Sequence, residues 1–322
     1  MITVESVDPR SAGQSAALLS TAWKLPSLRY TAGYLNWQLA FPGEGPVQAV
    51  AVAATGPSGW IGFAGATPRR VEVAGHCEWL HLVSFVAVHP EWQGQGISSR
   101  LYEVLLAAVL SQAAGGVVTF AQKESAGMVS LRKGYARSAY TEYDLGAFDS
   151  LGWVVRPPPG GKPSPAGRPA GLPAADSSVL VANYPSQSGF EHYLADPRGA
   201  RWVDFGPDAK GRRRGVLAVQ AERQTIRGVE PFLCVTNSFG APFSSADALA
   251  IVAELGDTAQ SRIRTGTIPN ARGWTPEVAR VAGMRTLPGQ HRGFFYRPAG
   301  QPAIGLGGRV RERHDPGTNL AR

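Results

Sequence analysis

Cysteine is nearly absent: the 322-residue chain has two, Cys77 and Cys234. That excludes a disulfide framework and a cysteine-built zinc site, and it fits a reducing compartment. Charged residues make up only 17%, which excludes a disordered chain or a coiled coil. No apolar run is long enough to cross a bilayer. The opening residues, MITVESVDPRSAGQSAALL, lack a basic stretch followed by an apolar core, so no secretory signal is expected and the cytoplasm is the expected location. Neither a metal nor a membrane partner is expected.

Basic residues are in excess, with a formal charge of +8, and a basic balance attracts anions. Arginines cluster in GRRRG (211–215) and GRVRERH (308–314), but no aromatics are interleaved with them. The excess therefore reads as general anion attraction, and no nucleic-acid partner is expected. Hydrophobic residues reach 43%, enough for a sizeable core, and the length favours two units over one.

The clearest break is VRPPPGGKPSPAGRPAGLPAADSS, Val155 to Ser178. Proline fixes φ and donates no backbone hydrogen bond, so this stretch reads as a linker. The expected organisation is a first unit over 1–152, a linker over 153–180, a second unit over 181–298 and a loose tail over 299–322. In the first unit, GYLNWQLAF is a short aromatic-rich element. VQAVAVAAT, WIGFAGATPRRVEVAG and WLHLVSFVAV read as successive strands. A helix through SSRLYEVLLAAVLSQAAG should end at Gly115-Gly116, followed by the strand GVVTFA. ESAGMVSLRKGY reads as a short helix closed by Gly134, and ARSAYTEYDLGAF as a last strand or pair. The second unit repeats this plan faintly: strands in RRGVLAVQAERQTIRGVE and PFLCVTN, a helix in SADALAIVAEL, then SRIRTGTIPN and TPEVARVAGM.

Between an apolar strand and a helix stands QGQGISS, Gln93 to Ser99. A helix start carries unpaired N–H groups and partial positive charge, and glycines let a phosphate approach them. Gly94 and Gly96 clear space, while Ser98 and Ser99 are placed to cap the helix. On loop chemistry alone, an anion site and a plain strand-to-helix turn are equally open. A nucleotide P-loop is excluded, because its lysine is missing, and so is G-x-G-x-x-G, because Ser99 stands at the last glycine.

The longer stretch FVAVHPEWQGQGISSRLYEVLL resembles the core motif of the GNAT superfamily of acyl-CoA-dependent N-acyltransferases: apolar strand, Q/R-x-x-G-x-G/A, helix. Gln93, Gly96 and Ser98 occupy the marked positions, with Ser98 in place of glycine or alanine. ESAGMVSLRKGY resembles the later GNAT helix, which ends in a glycine followed by an aromatic residue, here Gly134-Tyr135. The resemblance covers about residues 1 to 150 and implies an α/β (α+β) fold of tandem GNAT-like mixed sheets flanked by helices. It implies that the backbone of Phe85, Val86, Ala87 and Val88 pairs with the pantetheine arm. The amides of Gln93, Gly94, Gln95, Gly96, Ile97, Ser98 and Ser99 then hold the pyrophosphate of acetyl-CoA or another acyl-CoA. The thioester is expected in the splay between the strand ending at Val88 and the strand Val117 to Ala121. The second unit has no such loop after PFLCVTN, and the resemblance there implies a degenerate repeat that has lost cofactor binding.

The implied activity is N-acylation of a primary amine on a small molecule or natural product, by direct attack on the thioester. Glycopeptide-tailoring N-acyltransferases are similar in plan. Protein or peptide N-acetylation, and a silent acyl-CoA-binding regulator, are the alternatives. For the base, Glu78, His81 and Ser84 compete on the central strand, as does His192 from the start of the second unit, with Glu191 beside it. A packed ring is the plain reading of His81, and a surface ring that of His192. GNAT enzymes often place a tyrosine to protonate the leaving thiolate, but here that position is near Ser130. Tyr135 is expected in the core. Tyr34, Trp37 and Phe41 are expected to line core or acceptor pocket, and Lys123 and Arg132 are candidates for the nucleotide 3′-phosphate. His76, His291 and His314 read as loop residues.

Overall fold

The computed structural model describes residues 2–42, 47–73, 76–112, 115–122, 126–137, 140–155, 181–183, 187–240, 242–256, 264–269 and 273–298. The expected tail over 299–322, including His314 and GRVRERH, lies outside them, as does the linker from 156 to 180. The chain begins with β1 (Thr3–Val7), α1 (Ala16–Ala22), β2 (Ser27–Leu28) and α2 (Ala32–Leu39). Strands β3 (Val50–Gly56), β4 (Gly59–Val73) and β5 (His76–Val88) follow as an antiparallel meander. Then come α3 (Ile97–Leu110), β6 (Gly116–Gln122), α4 (Ala126–Arg137) and β7 (Tyr140–Val155). The later residues form β8 (Val181–Asn183), α5 (Gln187–Leu194), β9 (Arg201–Pro207), β10 (Arg213–Thr225) and β11 (Gly228–Phe239). The last elements are α6 (Ser245–Gly256), β12 (Arg264–Pro269), α7 (Pro276–Val281) and β13 (Arg285–Pro298).

The mixed α/β class expected from sequence is the observed one. In each half an antiparallel meander leads through a helix into a parallel strand, because a parallel partner needs a crossover. β5 pairs β6 in parallel, and β11 pairs β12 in parallel. A second helix and a last strand follow in each half. Those last strands change places. β13 lies against β6, with Phe294 opposite Thr119, and β7 lies against β12, with Leu151 opposite Ile268. β7 and β13 also pair with each other, so thirteen strands form one continuous sheet.

Helices α3 and α4 cover one face of the first arm, over a core that includes Leu101, Leu105, Tyr135 and Tyr296. Helices α1 and α2 lie on the opposite face, between the two arms. There Phe63, Phe85 and Ala87 of one arm and Val219, Ala221, Phe232 and Cys234 of the other share a single cluster.

The short aromatic-rich element GYLNWQLAF lies mostly in α2, begun by the Thr31 hydroxyl, which accepts from the Tyr34 amide. Several local expectations are corrected. Helix α3 stops at Leu110 with Ser111 at its end, before Gly115. Gly134 lies inside α4 and does not close it: a Cβ there would come within 2.9 Å of Tyr102 Cβ, so the glycine lets α4 approach α3. β7 runs through Val155, past the expected start of the linker. His76 and His291 stand in β5 and β13, not in loops.

Glu78 of β5 and Arg297 of β13 join the two halves: the guanidinium Nη2 donates to Glu78 Oε1 at 3.1 Å. The Arg297 side chain is 9% exposed and that of Glu78 22%. Removing one partner of a buried pair strands the other charge. Arg297→Ala is therefore expected to lower stability by about 3 kcal/mol, read as a lower urea midpoint. Arg297→Met with Glu78→Leu should recover most of the loss, and a single variant with an unchanged midpoint counts against the pair.

Candidate active site

The β5–β6 ladder ends at Val83 opposite Thr119, and Thr119 Oγ1 reaches the Val83 carbonyl at 3.5 Å. Beyond that fork, Ser84 to Val88 has no strand partner on the β6 side among the described residues. On the other side β5 bulges. Phe63 pairs with Ala87 and Gly65 with Ser84, so Ala64 alone faces Phe85 and Val86. Phe85 has φ 59°, the one positive φ outside glycine among the described residues. A non-glycine residue in that region costs roughly 1–3 kcal/mol. The ring offsets it by packing edge-on against Tyr30 at 5.3 Å and Tyr34 at 6.5 Å.

The gap opens toward the loop before α3. Gly94 and Gly96 have φ 78° and 75°, and a Cβ on either would meet nothing within 4 Å. Their requirement is conformational, and open space lies in front of them. Gly96 is the helix cap, carries no side chain, and has no acidic residue in the turn that follows. The first N–H groups of α3 thus have neither an intrahelical acceptor nor a side-chain cap. Ser98 does not cap the helix as expected. Its hydroxyl lies 2.9 Å from that of Ser130 on α4, which brings the two serines singled out in the sequence together. Ser99 makes no cap either. Ile97 is buried and anchors the turn, while Gln93, Gly94, Gln95 and Gly96 are exposed.

Part of the expected strand-like pairing surface is already in use. Gln93 Nε2 donates to the Val88 carbonyl at 3.0 Å, and Trp23 Nε1 donates to the Val86 carbonyl at 3.4 Å. The side chain of Gln93 thereby ties the loop to the strand it leaves.

The second half has a related bulge: Leu217 pairs with Asn237 and Ala218 with Val235, leaving Thr236 between them. Its helix start is different. The Ser244 amide donates to Asp247 Oδ2 at 2.8 Å, and the Asp247 amide donates to Ser244 Oγ at 3.2 Å. Arg214 also donates to Asp247. This reciprocal cap satisfies the third helical N–H and the amide before the helix, and it places a carboxylate where an anion would sit.

The candidate bases fall in different places. His81 is fully buried, and its Nε2 donates to the Gln48 carbonyl at 2.9 Å. Burial holds its pKa below the ordinary histidine value. With Gln112 beside it, it lies past the far end of α3, about 21 Å of helix from the glycine loop. Glu78 is engaged by Arg297. Ser84 sits at the fork, buried, with no partner for its hydroxyl. His192 stacks on Trp37 at 4.7 Å and meets the edge of Phe41 at 5.1 Å. Burial, and then the charge of Arg69, push its pKa down to about 4, and Nε2 has no partner. The rings Phe85, Tyr34, Trp37 and His192 follow one another through centroid contacts on the α2 side of the sheet.

Tyr135 is in the core as expected, stacked on Tyr296 at 3.5 Å. Arg132 pairs with Glu142, and Lys123 lies outside the described residues. The arginines of GRRRG are each engaged, Arg212 with Asp208, Arg213 with Asp204 and Arg214 with Asp247. Sequence reasoning missed Gln38, Thr67 and Arg69. Gly65, Thr67 and Arg69 alternate with Ala66 and Pro68, a period-two polar row in an apolar strand, and that alternation was the available signal.

Residues 17–141 match the model of the Acetyltransferase (GNAT) family. No curated protein sequence matches the chain. Among solved structures, N-myristoyltransferase of Saccharomyces cerevisiae with bound myristoyl-CoA aligns over 99% of this chain and 85% of its own, with TM-score 0.62 and 12% identity. A second structure of that enzyme with myristoyl-CoA aligns over 92% and 82%, with TM-score 0.59 and 11% identity. At such identity the likeness shows the fold. Residues 17–141 are therefore similar to the Acetyltransferase (GNAT) family, within a chain whose fold over nearly its whole length is similar to that of the yeast N-myristoyltransferase.

Proposed function

We propose that the chain is an acyl-CoA-dependent N-acyltransferase that acylates a primary amine of a small molecule or natural product. The observation that carries this is the uncapped α3 start behind two left-handed glycines, beside the bulged and unpaired end of β5. The amides of Gly94 to Ser99 hold the diphosphate, and the gap past Val83 takes the amide-bearing arm as an added strand. The second half is a degenerate repeat, because Asp247 fills its anion position. Its contribution is the other wall of the acceptor cleft.

Attack by the neutral amine nitrogen on the thioester carbonyl forms a tetrahedral intermediate; its collapse breaks the C–S bond, and the proton shed by the nitrogen passes to the departing thiolate, so that amide and thiol are released. The amine must first lose a proton. Arg69 beside His192 disfavours a bound ammonium, so the amine enters neutral, and the His192 ring, with Nε2 free, relays the proton that the nitrogen sheds as the tetrahedral intermediate forms, directly or through water. Ser84 at the fork orients that water.

With acetyl-CoA as donor, thiol release should depend on added amine; binding of acetyl-CoA without thiol release would support the silent regulator instead. The pH dependence discriminates further. A ring held near 4 is already neutral above about pH 5, so His192 adds no limb near the ordinary histidine value. The acid limb of kcat/KM should instead follow the acceptor amine, near pH 10 for an alkylamine (about 10.4 for lysine), and move down with a less basic amine. His192→Ala should lower kcat at least about tenfold and leave that limb in place. A limb near pH 6.5 that vanishes in the variant overturns this account of His192.

A further inference from the structure

Between α2 and the sheet, three almost fully buried side chains hold polar atoms without a partner: Gln38 Nε2, Thr67 Oγ1 and Ser84 Oγ. His192 Nε2 is a fourth on the same side. A buried polar group left unpaired costs roughly 1–3 kcal/mol, so a cluster of them is expensive unless something binds there.

The register places Thr67 and Ser84 together, and the helices bring Gln38 and His192 to the same side of the sheet. Thr67 pairs with Leu82 and Gly65 with Ser84, so the two hydroxyl residues share a face on a ladder diagonal, about 7 Å apart. Helix α2 covers that face: Leu39 lies 3.0 Å from where a Cβ on Gly65 would be. Gln38 is one turn from Tyr34, whose hydroxyl donates to Gln38 Oε1 at 3.4 Å, which leaves the amide NH2 to donate. Trp37, the preceding residue of α2, carries His192 against its ring. The cluster borders the fork where the β5–β6 ladder stops.

We propose that these four groups form the acceptor subsite and that the acceptor is a hydroxylated amine, such as an amino sugar or amino alcohol. This rests on the reading of the chain as an acyl-CoA N-acyltransferase. Two hydroxyls and a neutral imidazole each donate or accept, and an amide NH2 donates, which matches a set of ligand hydroxyls. None of the four is a carboxylate, and the charge of Arg69 reaches His192, so a polybasic acceptor is disfavoured. An alkylamine would engage His192 and Ser84 through its nitrogen but leave Thr67 Oγ1 and Gln38 Nε2 unpaired.

The test compares glucosamine with cyclohexylamine, and serinol with isopropylamine, by thiol release from acetyl-CoA. Wild type should favour the hydroxylated member of each pair by at least about 100-fold in kcat/KM, since a site built to bond hydroxyls rejects analogues that lack them. Thr67→Val and Gln38→Leu should each shrink that ratio at least tenfold, through the KM of the hydroxylated amine, with the KM for acetyl-CoA unchanged. Equal use of both members, turnover of none of the four, or ratios unchanged in the variants overturns the proposal. A variant that melts higher with an unchanged ratio marks these atoms as packing defects and overturns it too. Calorimetry with acetyl-CoA separates the two levels: wild type failing to bind it sinks the acyltransferase reading, whereas binding without hydroxyl preference sinks only the subsite.

Discussion

Replacing Gly94 and Gly96 together by glutamate is expected to weaken acyl-CoA binding more than about 100-fold, because two carboxylates then face the helix start proposed to hold the diphosphate. Both positions have φ near +75° and open space at the Cβ, so the new side chains do not collide with the protein. They meet backbone strain of roughly 1–3 kcal/mol each, confined to an exposed loop, and the far-UV spectrum should remain that of the folded chain. Strain and charge are separable. Asparagine tolerates the left-handed region, so Gly94→Asn with Gly96→Asn preserves the turn without adding charge. That variant should retain affinity within about tenfold, a loss of about 1.4 kcal/mol or less. Calorimetric titration with acetyl-CoA reads both. A folded glutamate variant that binds within threefold of wild type removes the loop from the site. Equal loss in both variants makes loop geometry, not the anion site, the requirement. The second half supplies a natural counterpart, since α6 already carries a carboxylate at its start.

The loop was legible because its chemistry is local. Seven residues set a strand end, two left-handed turns and a helix start, and each step has a residue-level cause. The bulge beside it was not. Phe85 is an ordinary strand residue by propensity, and its positive φ follows from register against Gly62 to Gly65 and from rings supplied by Tyr30 and Tyr34. Ser98 shows the same limit on a smaller scale: as a helix-start serine it reads as a cap, yet it bonds Ser130 because α4 packs across α3. Gly134, read as a stop, is the close-contact glycine of that crossing. His81 and His192 are equally plain in sequence. Only packing ties one to Gln48 and places the other in the cleft between the arms. The repeat of elements was visible along the chain. The exchange of the last strands was not, since pairing partners more than a hundred residues apart leave no periodicity.

That exchange carries the last prediction: neither residues 1–155 nor residues 181–298 should fold alone. Without β13, the first fragment loses the strand between β6 and β7 and exposes both as open edges. Its core also loses Phe294 and Tyr296, and Tyr135 loses the ring stacked on it. Burying those two aromatics is worth about 3–6 kcal/mol, against a total stability of about 5–15 kcal/mol for a typical protein. The second fragment loses β7 from between β12 and β13, and with it Leu151 and Trp153 from its core. The cluster around α1 and α2 is divided between the fragments, because Phe85 lies in one and Val219, Phe232 and Cys234 in the other. Each fragment made alone should melt without a cooperative transition and bind no acyl-CoA, although the whole glycine loop lies in the first. The two made together should associate into a soluble complex that regains acyl-CoA affinity. A cooperative melt from residues 1–155 alone would show that β13 is an accessory to that half; the register, with Phe294 opposite both Thr119 and Asp144, makes it the strand that closes it.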